Sequence, residues 1–169
     1  MFQTRQEKFI YSQIIMMTLS ATLQRNKVYL NANETERREV RKGIELELNN
    51  LSKNYLNCVS EKEHEKNIIH LANSISKKYN SYLKNGRFRI GTAQKALNLF
   101  LKYLWCLEKI HEPPHFPIDA IMLAKIPDCS GIYWTKLDSI DSYKEIIQKA
   151  KNVANGQTLS IWELYEYSA

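Results

Sequence analysis

The run TAQKALNLFLKYLWCLEKI, residues 92–110, constrains this chain more than any other stretch. On a helix, Leu97, Leu99, Phe100, Leu101, Leu104, Trp105, Cys106 and Leu107 cover most of the circumference. A helix apolar nearly all round belongs inside a protein, with other elements packed around it. Its one polar stripe is Lys95, Asn98 and Lys102, at i, i+3 and i+7. Lysines on a buried helix must reach an edge, a cleft or a counterion. Snorkelling of the long stems suits Lys102 and Lys109.

The rest of the chain supplies the surroundings. Phe9, Ile10, Ile14, Met17 and Leu23 recur at helical spacing over residues 5–25. Asn33 with Glu36 opens a second helix through Val40, Ile44, Leu48 and Leu51, and Ser60 with Glu63 opens a third through Ile68, Leu71, Ile75 and Tyr79. In KNGRFRIGT, Gly86 and Gly91 break the pattern, Phe88 and Ile90 allow a short extended piece, and Thr92 can cap the central helix. A short helix follows Asp119, and boxes at Ser142/Glu145 and Ser160/Glu163 mark two more. In the last, Trp162 and Tyr165 point to the core and Glu163 and Glu166 to solvent. With 5 glycines and 4 prolines in 169 residues, helix is favoured over turn-rich sheet. The expectation is a single all-α domain over residues 1–169, with about six or seven helices around a buried central one.

The net charge is +6, and it is uneven. No acidic residue lies between Glu65 and Glu108, whereas Lys66, Lys77, Lys78, Lys84, Arg87, Arg89, Lys95 and Lys102 do. A run this long without a countercharge suits a phosphate backbone, so nucleic acid is the expected partner. Cys58, Cys106 and Cys129 are odd in number and far apart, which argues against a disulfide framework and a cysteine-held metal, and for a reducing, cytoplasmic setting. The apolar FIYSQIIMMTLSA is too short and too polar to span a membrane, and Glu7, Ser12 and Gln13 weaken a signal-peptide reading.

HEPPH, residues 111–115, has the H-E-x-x-H spacing of zinc proteases. That motif works because a helix sets i and i+4 on one face. Pro113 and Pro114 each lack an N–H, and Pro114 biases Pro113 toward extended geometry, so no helix runs through. His111 and His115 then read as surface residues in preference to a looser metal site shared with Asp119, and no metal is expected. His64 and His70 fall on different helix faces. The proline loop instead delivers Asp119 to a helix N-terminus, where free N–H groups and the dipole favour a carboxylate. A cap needs nothing more. A functional role needs a partner, and Lys95, near the start of the central helix, is the candidate. A lysine placed there and partly buried is disfavoured as a cation and can serve as an amine nucleophile.

A glycine turn, a lysine on an apolar helix, then a proline-rich loop ending in hydrophobic–Asp resembles the core of the helix-hairpin-helix DNA glycosylases and AP lyases, nearest the archaeal 8-oxoguanine DNA glycosylase branch. The matching stretches are GTAQK, with Lys95, and PID, with Asp119, within residues 87–125. The usual L-P-G-V-G hairpin and the iron–sulfur cysteine cluster are absent. The resemblance implies that Lys95 attacks the sugar C1′ and that Asp119 stabilises the positive charge and takes up the proton. It also implies a base flipped against Tyr103, Trp105, Trp134 or Trp162, and DNA bound by Lys77, Lys78, Lys84, Arg87, Arg89 and Lys102, with no cofactor. The alternative expectation is a non-enzymatic basic helical module that binds nucleic acid or a protein. An enzyme should aim Lys95 and Asp119 into one cleft with room for a sugar between them. A scaffold should bury one or point them apart.

Overall fold

The computed structural model describes residues 3–24 and 26–167. Among these the fold is all-α, with seven helices: α1 (Arg5–Leu23), α2 (Glu34–Ser52), α3 (Glu61–Tyr79), α4 (Ile90–Cys106), α5 (Ala120–Ala124), α6 (Ile140–Ala154) and α7 (Leu159–Glu166). The alternation expected at Phe88 and Ile90 does not become a strand. The β-type pairing described is an isolated antiparallel bridge between Tyr29 and Leu83. No helix among the described residues is long and apolar enough to cross a membrane.

Most of the apolar circumference of α4 is inside. Leu97, Phe100, Leu101 and Leu104 are fully buried and Leu99 and Trp105 half-buried, whereas Cys106 and Leu107 at its end are exposed, and α1, α2, α3 and α6 all pack against this helix. Its first turn leans on the 3₁₀ turn at Trp134–Lys136. Gly91 permits that contact: a Cβ there would stand 1.8 Å from the carbonyl oxygen of Trp134, and the Gly91 N–H donates to Leu137 O at 2.8 Å.

Several helix ends differ from the expectation. The box at Asn33/Glu36 forms in both directions, and Ser60 accepts from the Glu63 N–H at 3.3 Å. Thr92 does not cap α4. The helix begins at Ile90 after Arg89, and Thr92 lies inside it, where its hydroxyl accepts from Asn26 Nδ2 at 2.6 Å. At α6 the cap is Ser139, not Ser142, and α7 follows Thr158, with Ser160 inside. α4 stops at Cys106, short of Ile110. Glu108 enters the left-handed region at φ 56°, its N–H donates to Trp105 O at 2.8 Å, and the Lys109 N–H donates to Leu104 O at 2.9 Å. This is a Schellman end with a glutamate where glycine is usual, so no glycine marks it in the sequence.

Candidate functional site

The loop after α4 is buried although it lacks regular structure. Pro113, His115, Phe116, Pro117 and Ile118 are all inside. Buried peptide groups need partners, and Gln94 and Asn98 of α4 provide most of them. Gln94 Nε2 donates to Ile118 O at 2.8 Å, and Gln94 Oε1 accepts from the Ile118 N–H at 3.1 Å. Asn98 Nδ2 donates to Phe116 O at 2.8 Å. From α7, the Ser160 hydroxyl donates to Pro113 O at 2.6 Å. The loop is thus zipped to α4 up to Ile118, and the next residue is set beside Lys95.

Lys95 Nζ donates to Asp119 Oδ2 at 2.6 Å. The two side chains are 8% and 16% exposed. Asp119 Oδ1 accepts from the N–H groups of Ile121 and Met122, both at 3.0 Å, and so caps α5. One carboxylate therefore ends the loop, starts a helix and holds the lysine. Because α4 starts at Ile90, Lys95 lies beyond the first turn, and the repulsion expected from a helix N-terminus does not reach it.

The pair forms part of the wall of a cleft of about 570 Å³, shared with Met17, Ser20, Ala21, Gln24, Tyr103, Ala120, Ile121, Trp134 and Tyr167. That volume lies within the roughly 300–1,000 Å³ of small-molecule sites. Lys95 and Asp119 do face one cleft. They touch each other, however, so the gap expected between them is absent, and Lys95 is itself buried, as the scaffold expectation had it. Of the four candidate stacking aromatics, Tyr103 and Trp134 line this cleft. Trp105 borders a different depression, and Trp162 is core, 5.4 Å from the Phe116 ring. Tyr167 was not foreseen.

Lys102 does not offer its charge to solvent. Its Nζ lies 2.8 Å from Glu163 Oε1 and 2.6 Å from Oε2, and 4.8 Å from the Tyr167 ring centre. Glu163, expected on the surface, is 2% exposed, whereas Tyr165, expected in the core, is 81% exposed. With the cap moved to Thr158, Leu159, Trp162 and Glu163 share one helix face. Once the start of the helix is known, this phase would reveal the buried glutamate. Burial pushes the Glu163 carboxyl up and the Lys102 hydrogen bond pulls it down, while Lys95 lowers and Asp119 raises it further. The two lysine–carboxylate pairs are therefore electrostatic neighbours.

The proline segment is not helical over residues 111–115, and its histidines part company. His111 is exposed, with Nδ1 3.7 Å from Cys58 Sγ. His115, expected on the surface, is 1% exposed. Its Nδ1 is 2.9 Å from the Tyr143 hydroxyl, and its ring stacks edge-on at 4.8 Å with that of His64. His64 Nδ1 is 2.6 Å from the Tyr55 hydroxyl, which also accepts from Asn67 Nδ2 at 3.1 Å. Burial drives His64 well below the usual histidine range, with His115 adding to this and Asn98 opposing it. Burial also lowers His115 to about 3, aided by Lys151. Both rings are neutral core groups. Their partners are scattered along the chain, so spacing carried no signal for them. No group of three or more His, Cys, Asp or Glu side chains among the described residues could hold a metal ion.

The basic residues divide. Lys77 and Lys78 are exposed at the end of α3, with Lys78 5.3 Å over its neighbour Tyr79. Lys84, Arg87 and Arg89 lie between α3 and α4, around a small notch shared with Lys27. Arg87 pairs with Asp138 at 3.3 Å, and Arg89 Nη1 donates to Thr135 O at 3.2 Å. No family model matches the chain, and no significant match is found among curated proteins or solved structures.

Proposed function

We propose that the chain binds DNA and acts on an abasic or damaged nucleotide through a lysine Schiff base, as its resemblance to the helix-hairpin-helix glycosylases and lyases implies. The observation that supports this most is the 2.6 Å contact between Lys95 Nζ and Asp119 Oδ2 at the wall of a cleft. In the ground state the hydrogen bond holds the lysine proton against the carboxylate. Moving that proton to Asp119 frees the nitrogen lone pair without an intervening base. The amine then attacks the C1′ aldehyde carbon of a ring-opened sugar. The carbinolamine loses water, and a protonated Schiff base remains beside a carboxylate that can take the ionised form again. Tyr103 and Trp134 offer faces for a base that has left its stack.

Borohydride tests this directly, because it reduces the Schiff base to a stable amine. Wild-type protein incubated with abasic-site DNA should give a covalent protein–DNA band. Lys95→Gln should give none, and Asp119→Asn, which keeps the capping oxygen, should give at least about tenfold less. No band with wild type, or an equal band with Lys95→Gln, sinks the reading.

A second reading has its own support. Both Asp119 oxygens are engaged, one by Lys95 and one by the start of α5. Those contacts suit a clasp that fixes the loop in a binding module without chemistry. In that case Lys95→Gln and Asp119→Asn would lower stability and leave DNA binding intact, with no trapped band from any variant.

A further inference from the structure

A second cleft, about 750 Å³, adjoins the first. The two share Ser20, on α1, and Gln24, which directly follows that helix, and the neighbouring residues Met16 and Met17 each face one of them. α1 is therefore the ridge between them. Lys27, Arg37, Arg41 and Lys84 line the wider cleft, and no acidic side chain among the described residues does. Arg41 is paired with Glu34. Arg37 is held in place: its Nε donates to Ala32 O at 2.8 Å, and its guanidinium sits 5.3 Å over the Tyr29 ring. The wall also carries exposed apolar side chains, Met16 at 57% and Leu30 at 52%, with Met17 41% exposed across the ridge.

Cations alone would suit any polyanion. Exposed methionine and leucine beside them suit a ligand that presents flat apolar faces as well as phosphates. A duplex hides its base faces, whereas a single strand offers both. We propose that the two clefts form one track for single-stranded nucleic acid. Phosphates lie on Lys27, Arg37 and Lys84, a base rests against Met16 and Leu30, and the strand crosses α1 at Ser20 and Gln24 into the Lys95 cleft. This deepens the reading above by naming the form of the substrate. It rests on that reading for the identity of the nucleotide at Lys95.

Fluorescence anisotropy with labelled oligothymidylate, oligouridylate and a mixed-sequence duplex, each about fifteen nucleotides long, tests the track. Single strands should bind at least about tenfold more tightly than duplex at 0.1 M salt, and the DNA and RNA arms show which sugar is accepted. Lys27 and Lys84 are exposed, so Lys27→Glu/Lys84→Glu should fold normally by circular dichroism. It should lose about tenfold or more in single-strand affinity and flatten the log–log salt slope by about 1.4. Met16→Ser should weaken single-strand binding at unchanged salt slope. Equal or tighter duplex binding, no binding at all, or full affinity in the charge-reversed variant overturns the proposal. Borohydride trapping beside the anisotropy separates the two readings. A track that holds single strands while wild type never traps an abasic site leaves the track standing and removes the lyase. Trapping without single-strand preference does the reverse.

Discussion

Lys95 and Asp119 carry more of this structure than their two positions suggest. Both are largely removed from water and in direct contact. Deleting one partner of such a pair leaves a charge without its counterion, at a cost of about 3 kcal/mol or more. Lys95→Gln should cost that amount. Asp119→Asn keeps an oxygen for Ile121 and Met122, so it isolates the charge from the cap. In urea denaturation the double variant should be more stable than the sum of the single losses implies, with a coupling of about 2 kcal/mol. A coupling near zero would make the contact energetically idle. The aspartate was legible as a cap because the loop before it and the apolar run after it are local signals. Lys95 stood as its candidate partner, but direct contact with the second oxygen was not legible, because Gln94 and Asn98 make the loop fold back on α4. Asn98 read only as a polar position on a helix, and Gln94 carried no signal.

Among the elements, α4 was the most legible and its ends the least. Its apolar girth required burial on every side. Its start depends on a contact with the distant turn at Trp134, and that contact depends on Gly91. Gly91→Ala would force a Cβ against a backbone carbonyl, so it should destabilise the protein by about 3 kcal/mol or prevent folding. Thermal melting monitored by circular dichroism checks this, and a melting point within a degree of wild type would contradict it. The misplaced caps at Ser142 and Ser160 share one cause. A side-chain cap contributes about 1 kcal/mol, and two Ser or Thr residues stood within three positions of each of these helix starts. Burying Tyr143, Ile146 and Ile147 on α6, and Leu159 and Trp162 on α7, outweighs that and sets the phase.

At the scale of the molecule, the two buried histidines tie stability to pH. In the unfolded chain each titrates near 6.5. In the fold burial pushes both down, His115 to about 3. Below about pH 6.5 the unfolded state binds more protons, so the fold is fully favoured above that pH and loses ground as pH falls. The loss is about 1.4 kcal/mol per histidine per unit. Urea midpoints should therefore report about 3 kcal/mol less stability at pH 5.5 than at 7.5. A His115→Gln variant should lose roughly half of that dependence. A flat profile would mean that the rings take up protons freely in the fold.

The sequence by itself determined the all-α class, the central place of α4, the absence of a helix through HEPPH and the Asp119 cap. Each follows from a covalent restriction or from a periodicity repeated over many residues, and distant parts of the chain do not change either. Only the tertiary structure decided that His115 lies in the core, that Lys102 meets Glu163, and that Lys95 touches Asp119 beside a second, cationic cleft. These depend on helix phase and on which loop returns to which helix. Phase is set by the summed burial of many side chains, a larger quantity than any local signal in the sequence.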